Sequence, residues 1–273
     1  MPSRPDLDHL RAEVAAALAA HDPVRARHAI RASAHHHAIE DGVGFRRLVT
    51  ELPGEGWDAD AIVTAALGTS YRAPGSPQGG PALAYIEAAQ RMLAEDAPVA
   101  DRAAIMIAAG AALRTQGRLA EAAARLGGVS RLLDAASPGP LVIALSARHA
   151  LETGVVDLLL GDLDDARRRL ELAHGLSAQL TPRERLECLG ALALAAYAQG
   201  DLHATDRLLD EFDAAAPDPE SLDSGFAAAA YAARIAIATD RYRVAHLPDY
   251  AEAMVSASAG TEWEPLAGVF ASY

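Results

Sequence analysis

The chain has 273 residues, 51% of them hydrophobic, and a formal net charge of −13, which is material for one large domain or two ordinary ones. Ala occurs 65 times and aromatic residues make up only 5%; Ala is the strongest helix former and a poor strand former, so sheet architectures are disfavoured from the outset. All 24 basic residues are Arg, and without Lys or Asn the chain can hold no phosphate-loop lysine, Schiff-base lysine or asparagine-oriented dyad.

The acidic balance also argues against direct nucleic-acid binding, which needs a basic footprint. The one dense basic cluster, Arg167-Arg168-Arg169, lies among Asp162, Asp164, Asp165 and Glu171 and reads as a solvated helix face. Cys188 is the single cysteine, so neither an internal disulfide nor a zinc spacing is available and a reducing cytoplasm is the expected compartment. The short apolar run Val14 to Ala20 follows Asp6, Asp8, Arg11 and Glu13, unlike a signal peptide, and no run reaches membrane-spanning length.

In chain order, residues 1–73 read as N-terminal helical hairpins, with breaks at Pro23, at Pro53 and at Trp57 after Pro53-Gly54-Glu55-Gly56. Residues 74–81, within the stretch Ala73-Pro74-Gly75-Ser76-Pro77-Gln78-Gly79-Gly80, read as a loop or seam. Residues 82–273 read as a repeat array, with helix stops at Pro98, Gly117, Gly161, Pro182, Gly200, Pro217 and Pro219. Leu163, Ala166, Leu170, Ala173 and Ser177 step at threes and fours with charges between them, the pattern of an amphipathic helix.

The array repeats. Gly110 leads to Gly117-Arg118-Leu119 and Ala122, Gly154 to Gly161-Asp162-Leu163 and Ala166, and Ala193 to Gly200-Asp201-Leu202 and Thr205. A weaker copy runs from Ala233 through Asp240-Arg241-Tyr242 to Ala245, and the four anchors lie 44, 39 and 40 residues apart. Physically this is a helix hairpin. A small residue in the first helix lets the second approach, a left-handed Gly ends the first, and the Asp after it caps the second. One hairpin cannot cover its own apolar face, so hairpins stack.

Tyr197-Ala198-Gln199-Gly200-Asp201-Leu202 and the stretch from Gly154 to Ala166 resemble tetratricopeptide repeats, with a period above that family's about thirty-four residues that implies lengthened helices. Asp22-Pro23-Val24-Arg25-Ala26-Arg27, then Phe45-Arg46-Arg47-Leu48-Val49-Thr50-Glu51-Leu52-Pro53, is similar to the repeat region of large ATP-binding LuxR-type regulators of the maltose-activator kind. The likeness spans roughly residues 8–257. It implies an all-α fold, a right-handed superhelix of stacked antiparallel hairpins. It also implies a sensor or partner-binding arm. Those regulators carry an ATPase module before the superhelix and a helix-turn-helix after it; here no Gly-x-x-x-x-Gly-Lys motif occurs, and only Trp263 to Tyr273 follows the last repeat.

Placing the hairpins by their glycines puts Arg114, Arg148, Leu151, Val155, Leu158, Tyr197, Tyr231 and Arg234 on or near the concave side. Arg and Tyr supply planar hydrogen bonding and amphipathic contact area at binding surfaces. Either these residues receive an anionic or hydroxyl-rich small molecule or an acidic peptide, or each Arg pairs locally with a neighbour such as Glu152 or Asp240. The expected function is therefore a non-enzymatic binding module, with a free-standing protein–protein adaptor as the alternative. No cofactor, metal site, nucleic acid or membrane contact is expected. Three lesser patterns remain. His35-His36-His37 point about 100° apart on a helix and cannot share one ion, while His21, His28 and His35 recur at seven. Ser146, His149 and Glu152 form a triad-like string. Trp263, Phe270 and Tyr273 either cap the last hairpin or make a homodimer contact.

Overall fold

The computed structural model describes residues 6–51, 60–72, 81–216, 222, 224–242 and 244–270, and every regular element among them is a helix. The fold is all-α, as the composition predicts. The expected breaks around Pro53 and Trp57, the loop over residues 73–80, Pro217, Pro219 and Tyr273 lie outside the described residues.

Helix starts follow capping chemistry. Asp6 accepts the His9 N–H at 2.7 Å to open α1 (Leu7–Ala19), and Asp22 accepts the Arg25 N–H at 2.9 Å ahead of the Pro23 that opens α2 (Pro23–Glu40). A short α3 (Gly42–Glu51) follows. Asp60 caps α4 (Ala61–Thr69), which tightens into a 3₁₀ turn at Ser70–Arg72. The array then runs through α5 (Ala82–Met92), α6 (Val99–Thr115), α7 (Leu119–Gly127), α8 (Val129–Ala135), α9 (Pro140–Leu160) and α10 (Leu163–Gly175). It continues with α11 (Pro182–Ala198), α12 (Leu202–Ala215), α13 (Ala228–Asp240), α14 (Leu247–Ser258) and α15 (Glu264–Phe270). Thr181 and Glu184 form a reciprocal capping box at the start of α11.

Consecutive helices pair as α1/α2, α4/α5, α6/α7, α9/α10, α11/α12 and α13/α14, and α6, α9, α11 and α13 also touch in succession. The repeat anchors behave as the spacing predicts at three positions: Gly117, Gly161 and Gly200 have φ of 71°, 87° and 80°. At the fourth the left-handed residue is Tyr242, φ 55°, two positions beyond the expected anchor. Without a glycine, α13 runs on until an exposed Tyr takes the turn. Asp201 caps α12 by accepting the Ala204 N–H, but Asp162 makes no such bond and Asp after Gly is not a uniform cap here. Gly110 and Gly154 do face the second helix of their hairpins. A Cβ on Gly110 would stand 2.5 Å from Leu126 Cγ, and one on Gly154 would stand 2.8 Å from Leu170 Cγ.

The largest apolar cluster runs through α9 to α15 and includes Leu151, Leu170, Leu192, Phe212, Met254 and Trp263. Trp263 is thus core, in line with capping of the last hairpin, while the Phe270 side chain and Tyr273 lie outside the described residues. A second cluster ties α1, α2, α3 and α4 through Val14, Ile30, Phe45 and Val63. The N-terminal helices do not stand apart. Arg31 on α2 donates to Asp60 at 3.0 Å and to Asp101 of α6 at 2.6 Å, and Arg183 of α11 donates to the Ile39 carbonyl at the end of α2 at 3.3 Å. A cation at those last carbonyls also meets the negative end of the α2 dipole. No helix among the described residues is long and apolar enough to cross a membrane.

Gly190 marks a close crossing of α11 and α13, because a Cβ there would lie 2.9 Å from the backbone nitrogen of Ala230. Backbone cannot yield as a side chain can, so Gly190→Ala should destabilise the chain by about 1–3 kcal/mol in urea unfolding. Gly175→Ala, which meets nothing within 4 Å, should stay within about 0.5 kcal/mol of wild type.

Candidate functional site

Charged residues inside Ala- and Leu-rich helices are the least expected feature of the array, and the structure gathers them. Arg114 on α6 is fully buried. It donates from Nε to Glu152 of α9 at 2.9 Å and from Nη2 to Glu187 of α11 at 2.6 Å, and its Nη1 contacts Glu262 in the turn between α14 and α15. Arg72, at the end of the 3₁₀ turn, donates to the same two helix carboxylates, at 2.6 Å to Glu152 and 3.1 Å to Glu187. Arg72, Glu152, Arg114 and Glu187 therefore close a ring in which each carboxylate bridges both guanidiniums. Phe226 lies beside the ring, its centroid 5.4 Å from the Arg72 guanidinium. Burial would raise the Glu152 pKa, but Arg114 and Arg72 outweigh it and hold the carboxyl below its usual range.

Next to the ring, Glu184 at the start of α11 is buried and receives His35 Nε2 of α2 at 2.8 Å. Burial acts against its ionisation, yet His35, Arg148 and the Thr181 N–H hold it far below the ordinary carboxylate value. Burial and the Arg148 charge push the His35 pKa down despite Glu184. The pair is read as a neutral imidazole donating its Nε2 proton to an ionised carboxylate.

His35 and Arg148 also line a cavity of about 230 Å³ between α2, α4, α6 and α9. Its floor is small and apolar, with Ala65, Ala66, Ala104 and Ala108, and its polar groups are His28, Arg31, His35, Thr69, Asp101 and Arg148. Ligand pockets commonly take this form, an apolar lining with a few convergent polar groups. A wider surface cleft, about 1190 Å³, lies between α1 to α3 and the start of α11, where Asp6, Asp8, Glu40 and Asp41 mix with Arg11, Arg47 and Arg185.

The eight groove residues expected from sequence fall in separate places, with Val155 buried in the core and Leu158 packed against it. Arg114 is in the ring, and Arg148 is at the cavity. Leu151 is fully buried core. The Tyr197 hydroxyl donates to Asp240 at 2.8 Å. Tyr231 and Arg234 come together, since the Arg234 guanidinium packs 5.5 to 5.8 Å from the Phe212, Tyr231 and Tyr250 rings and pairs with Asp213. Sequence reasoning missed Arg72, Glu184, Glu187 and Glu262, and it treated Glu152 only as a neighbour and as a member of a triad-like string. For Glu187, between Leu186 and Cys188, a signal existed, a charge beside apolar residues in a helix, the same feature that singled out Arg114. Glu184 stands in the charged start Arg183-Glu184-Arg185, Arg72 next to the stretch that reads as a loop and Glu262 in a turn, and these three carry none.

The other motifs are engaged elsewhere. The Ser146 hydroxyl donates to the Val142 carbonyl at 2.8 Å and His149 Nε2 contacts the Leu126 carbonyl at 3.1 Å, so the two do not bond each other. Burial pushes the Cys188 thiol up to about 12. His21 sits in the α1–α2 turn with φ 55°, so only His28 and His35 share the α2 face. Among the described residues no group of three His, Cys, Asp or Glu suits a metal ion. The Arg167 to Arg169 run is spread over Glu171, Asp201, Asp165 and Asp157.

Breaking a buried pair strands a charge, so Glu187→Ala or Arg114→Ala should each lower stability by about 3–5 kcal/mol in denaturant unfolding. Removing either member of the exposed pair Arg118–Glu121 should cost far less, because solvent screens the pair. The histidines set an acid limit. Burial lowers the pKa of His35, His37 and His149 from the ordinary 6.5, so below that pH the unfolded chain binds more protons than the folded one. Their contribution is complete above pH 6.5 and is lost as pH falls, before Glu152, held below its usual range, begins to protonate. The thermal midpoint should stay level from about pH 8 to 7 and fall below about 6.5, less steeply in His37→Gln. No model of a known protein family matches the chain, and no curated protein matches it significantly.

Proposed function

We propose that this chain is a non-enzymatic binding module, the effector-sensing arm of a LuxR-type transcriptional regulator. In this reading the helix pairs wind as a right-handed superhelix in the cytoplasm, and a small molecule occupies its concave side. The observation that carries the reading is the cavity of about 230 Å³ where α2 and α4 meet α6 and α9. A ligand there touches the N-terminal helices and the array at once. Different contacts in two settings of those parts are what a sensor needs, because a ligand shifts an equilibrium only by its differential affinity. The order of elements supports the family reading: a hairpin, a short α3, then stacked pairs.

The cavity suits an anionic or hydroxyl-rich ligand with a compact apolar body. Arg148 offers donors, Asp101 and the neutral His35 acceptors, and the alanines a flat floor. Chemistry is disfavoured by the state of the charged groups. The Glu152 carboxylate, held ionised by two guanidiniums, is a weak base, and a thiol at about 12 is no nucleophile at neutral pH.

Native and denaturing mass spectra of the protein purified from its own host test this. A mass retained only in the native spectrum, and absent in Ala104→Leu, which fills the cavity floor, is the expected result. A bare chain in both spectra would favour the adaptor alternative, in which the concave side receives a protein or peptide partner.

A further inference from the structure

We propose that the outer nitrogen of Arg114 is the seat of a second binding site, selective for a small carboxylate, and that Glu262 is its tethered occupant. The inference goes beyond the cavity reading, since none of the five residues involved lines that cavity.

Charge balance comes first. Arg72, Arg114, Glu152 and Glu187 already form a neutral, closed ring, with two carboxylates shared by two guanidiniums. Glu262 adds a third carboxylate to the cluster, with its side chain only 4% exposed. A buried charge that exceeds its partners is unfavourable unless something else holds it there. What holds it is the tether: Glu262 sits in the short turn joining α14 to α15, directly before the buried Trp263.

Second, the seat has a defined chemistry. The Nε and Nη2 groups of Arg114 are engaged by Glu152 and Glu187, so Nη1 is the position that Glu262 fills. A buried guanidinium N–H needs an acceptor, and a charged oxygen gives the strongest bond. An amine finds no partner at a donor-only group, and a phosphate would bring a second negative charge to a ring that is already neutral. A monocarboxylate small enough to follow the path of one Glu side chain meets the requirement.

Third, the turn that delivers Glu262 is held by bonds within itself and α15. It has a left-handed Gly260, φ 65°, the Gly260 N–H donates to Glu264 at 2.8 Å, and the Thr261 N–H and hydroxyl both donate to the Ser258 carbonyl, at 2.9 and 2.7 Å, while the buried Ser258 hydroxyl has no hydrogen-bond partner. The ring would remain closed if this turn lifted away, so the Glu262 contact is the one that can open without stranding another charge pair. An external carboxylate would take the vacated place.

Chemical rescue tests the seat. In Glu262→Ala the Arg114 nitrogen faces a small void; in Glu262→Gln the void is filled by an amide. Acetate is expected to raise the thermal midpoint of Glu262→Ala by about 2–4 °C over chloride at equal ionic strength and to leave Glu262→Gln unmoved. An equal rise in both variants, or none in Glu262→Ala, overturns the proposal. If Glu262→Ala does not fold in chloride, a second measurement decides. Trp57 and Trp263 are the only tryptophans, so Trp57→Phe leaves the reporter beside Glu262 alone. Propionate displacing Glu262 should expose Trp263 and red-shift its emission, whereas chloride should not. An emission unmoved up to about 0.5 M propionate, which competes with the effective concentration of a tethered group, overturns it. Neither readout involves the cavity, so a failed seat and an empty cavity give separate results.

Discussion

The rest of this molecule depends on two arginines and two glutamates that neutralise each other where water is excluded. Arg72, Arg114, Glu152 and Glu187 come from four different parts of the chain, so closing their ring fixes α4, α6, α9 and α11 against one another. Stacked hairpins otherwise contact mainly their neighbours, and stability along such a stack is close to a sum of local terms. The ring adds a long-range tie. A hydrophobic substitute of the same shape could be as stable, so the charges specify which helices meet and at what register more than they stabilise the meeting.

Around the ring, polar contacts grade outwards from specific to generic. His35–Glu184 and Arg183–Ile39 draw α2 onto α11, and Arg31 spans Asp60 and Asp101 between α2, α4 and α6. These contacts set the walls of the small cavity, and its alanine floor follows from the composition, because Ala-rich helices approach closely and leave only shallow space. Further out, Arg167, Arg168 and Arg241 pair with exposed carboxylates, and these pairs keep an acidic surface in order without holding the fold.

The proposed sensing role and the proposed carboxylate seat use different parts of this arrangement. The cavity lies where the N-terminal helices meet the array, and the seat lies where the C-terminal turn reaches into it. Both sites would sense through placement of helices, since each touches elements far apart in sequence. That is the form in which a helical arm without chemistry of its own would report a ligand.

Local structure was legible from the residues. Alanine content and three-four spacing gave helices; Pro23, Pro182, Gly117, Gly161 and Gly200 set their ends; Gly110 and Gly154 marked close hairpins. These are near-neighbour effects, governed by one turn or one pair of helices. The fourth repeat misled because Tyr242 adopts the left-handed conformation that sequence reserves for glycine. For the site, isolated charges in apolar helices pointed to burial, and Arg114 and Arg148 were found that way. Their partners were not, because which carboxylate meets which guanidinium depends on helices some 38 to 148 positions apart. Arg72 and Glu262 look in sequence like any charge beside a loop. Sequence by itself determined the helices, their ends and their pairing into hairpins. Tertiary structure alone decided that two arginines and four glutamates share one dry interior, because only the closing of distant helices removes the water that would otherwise have kept those charges apart.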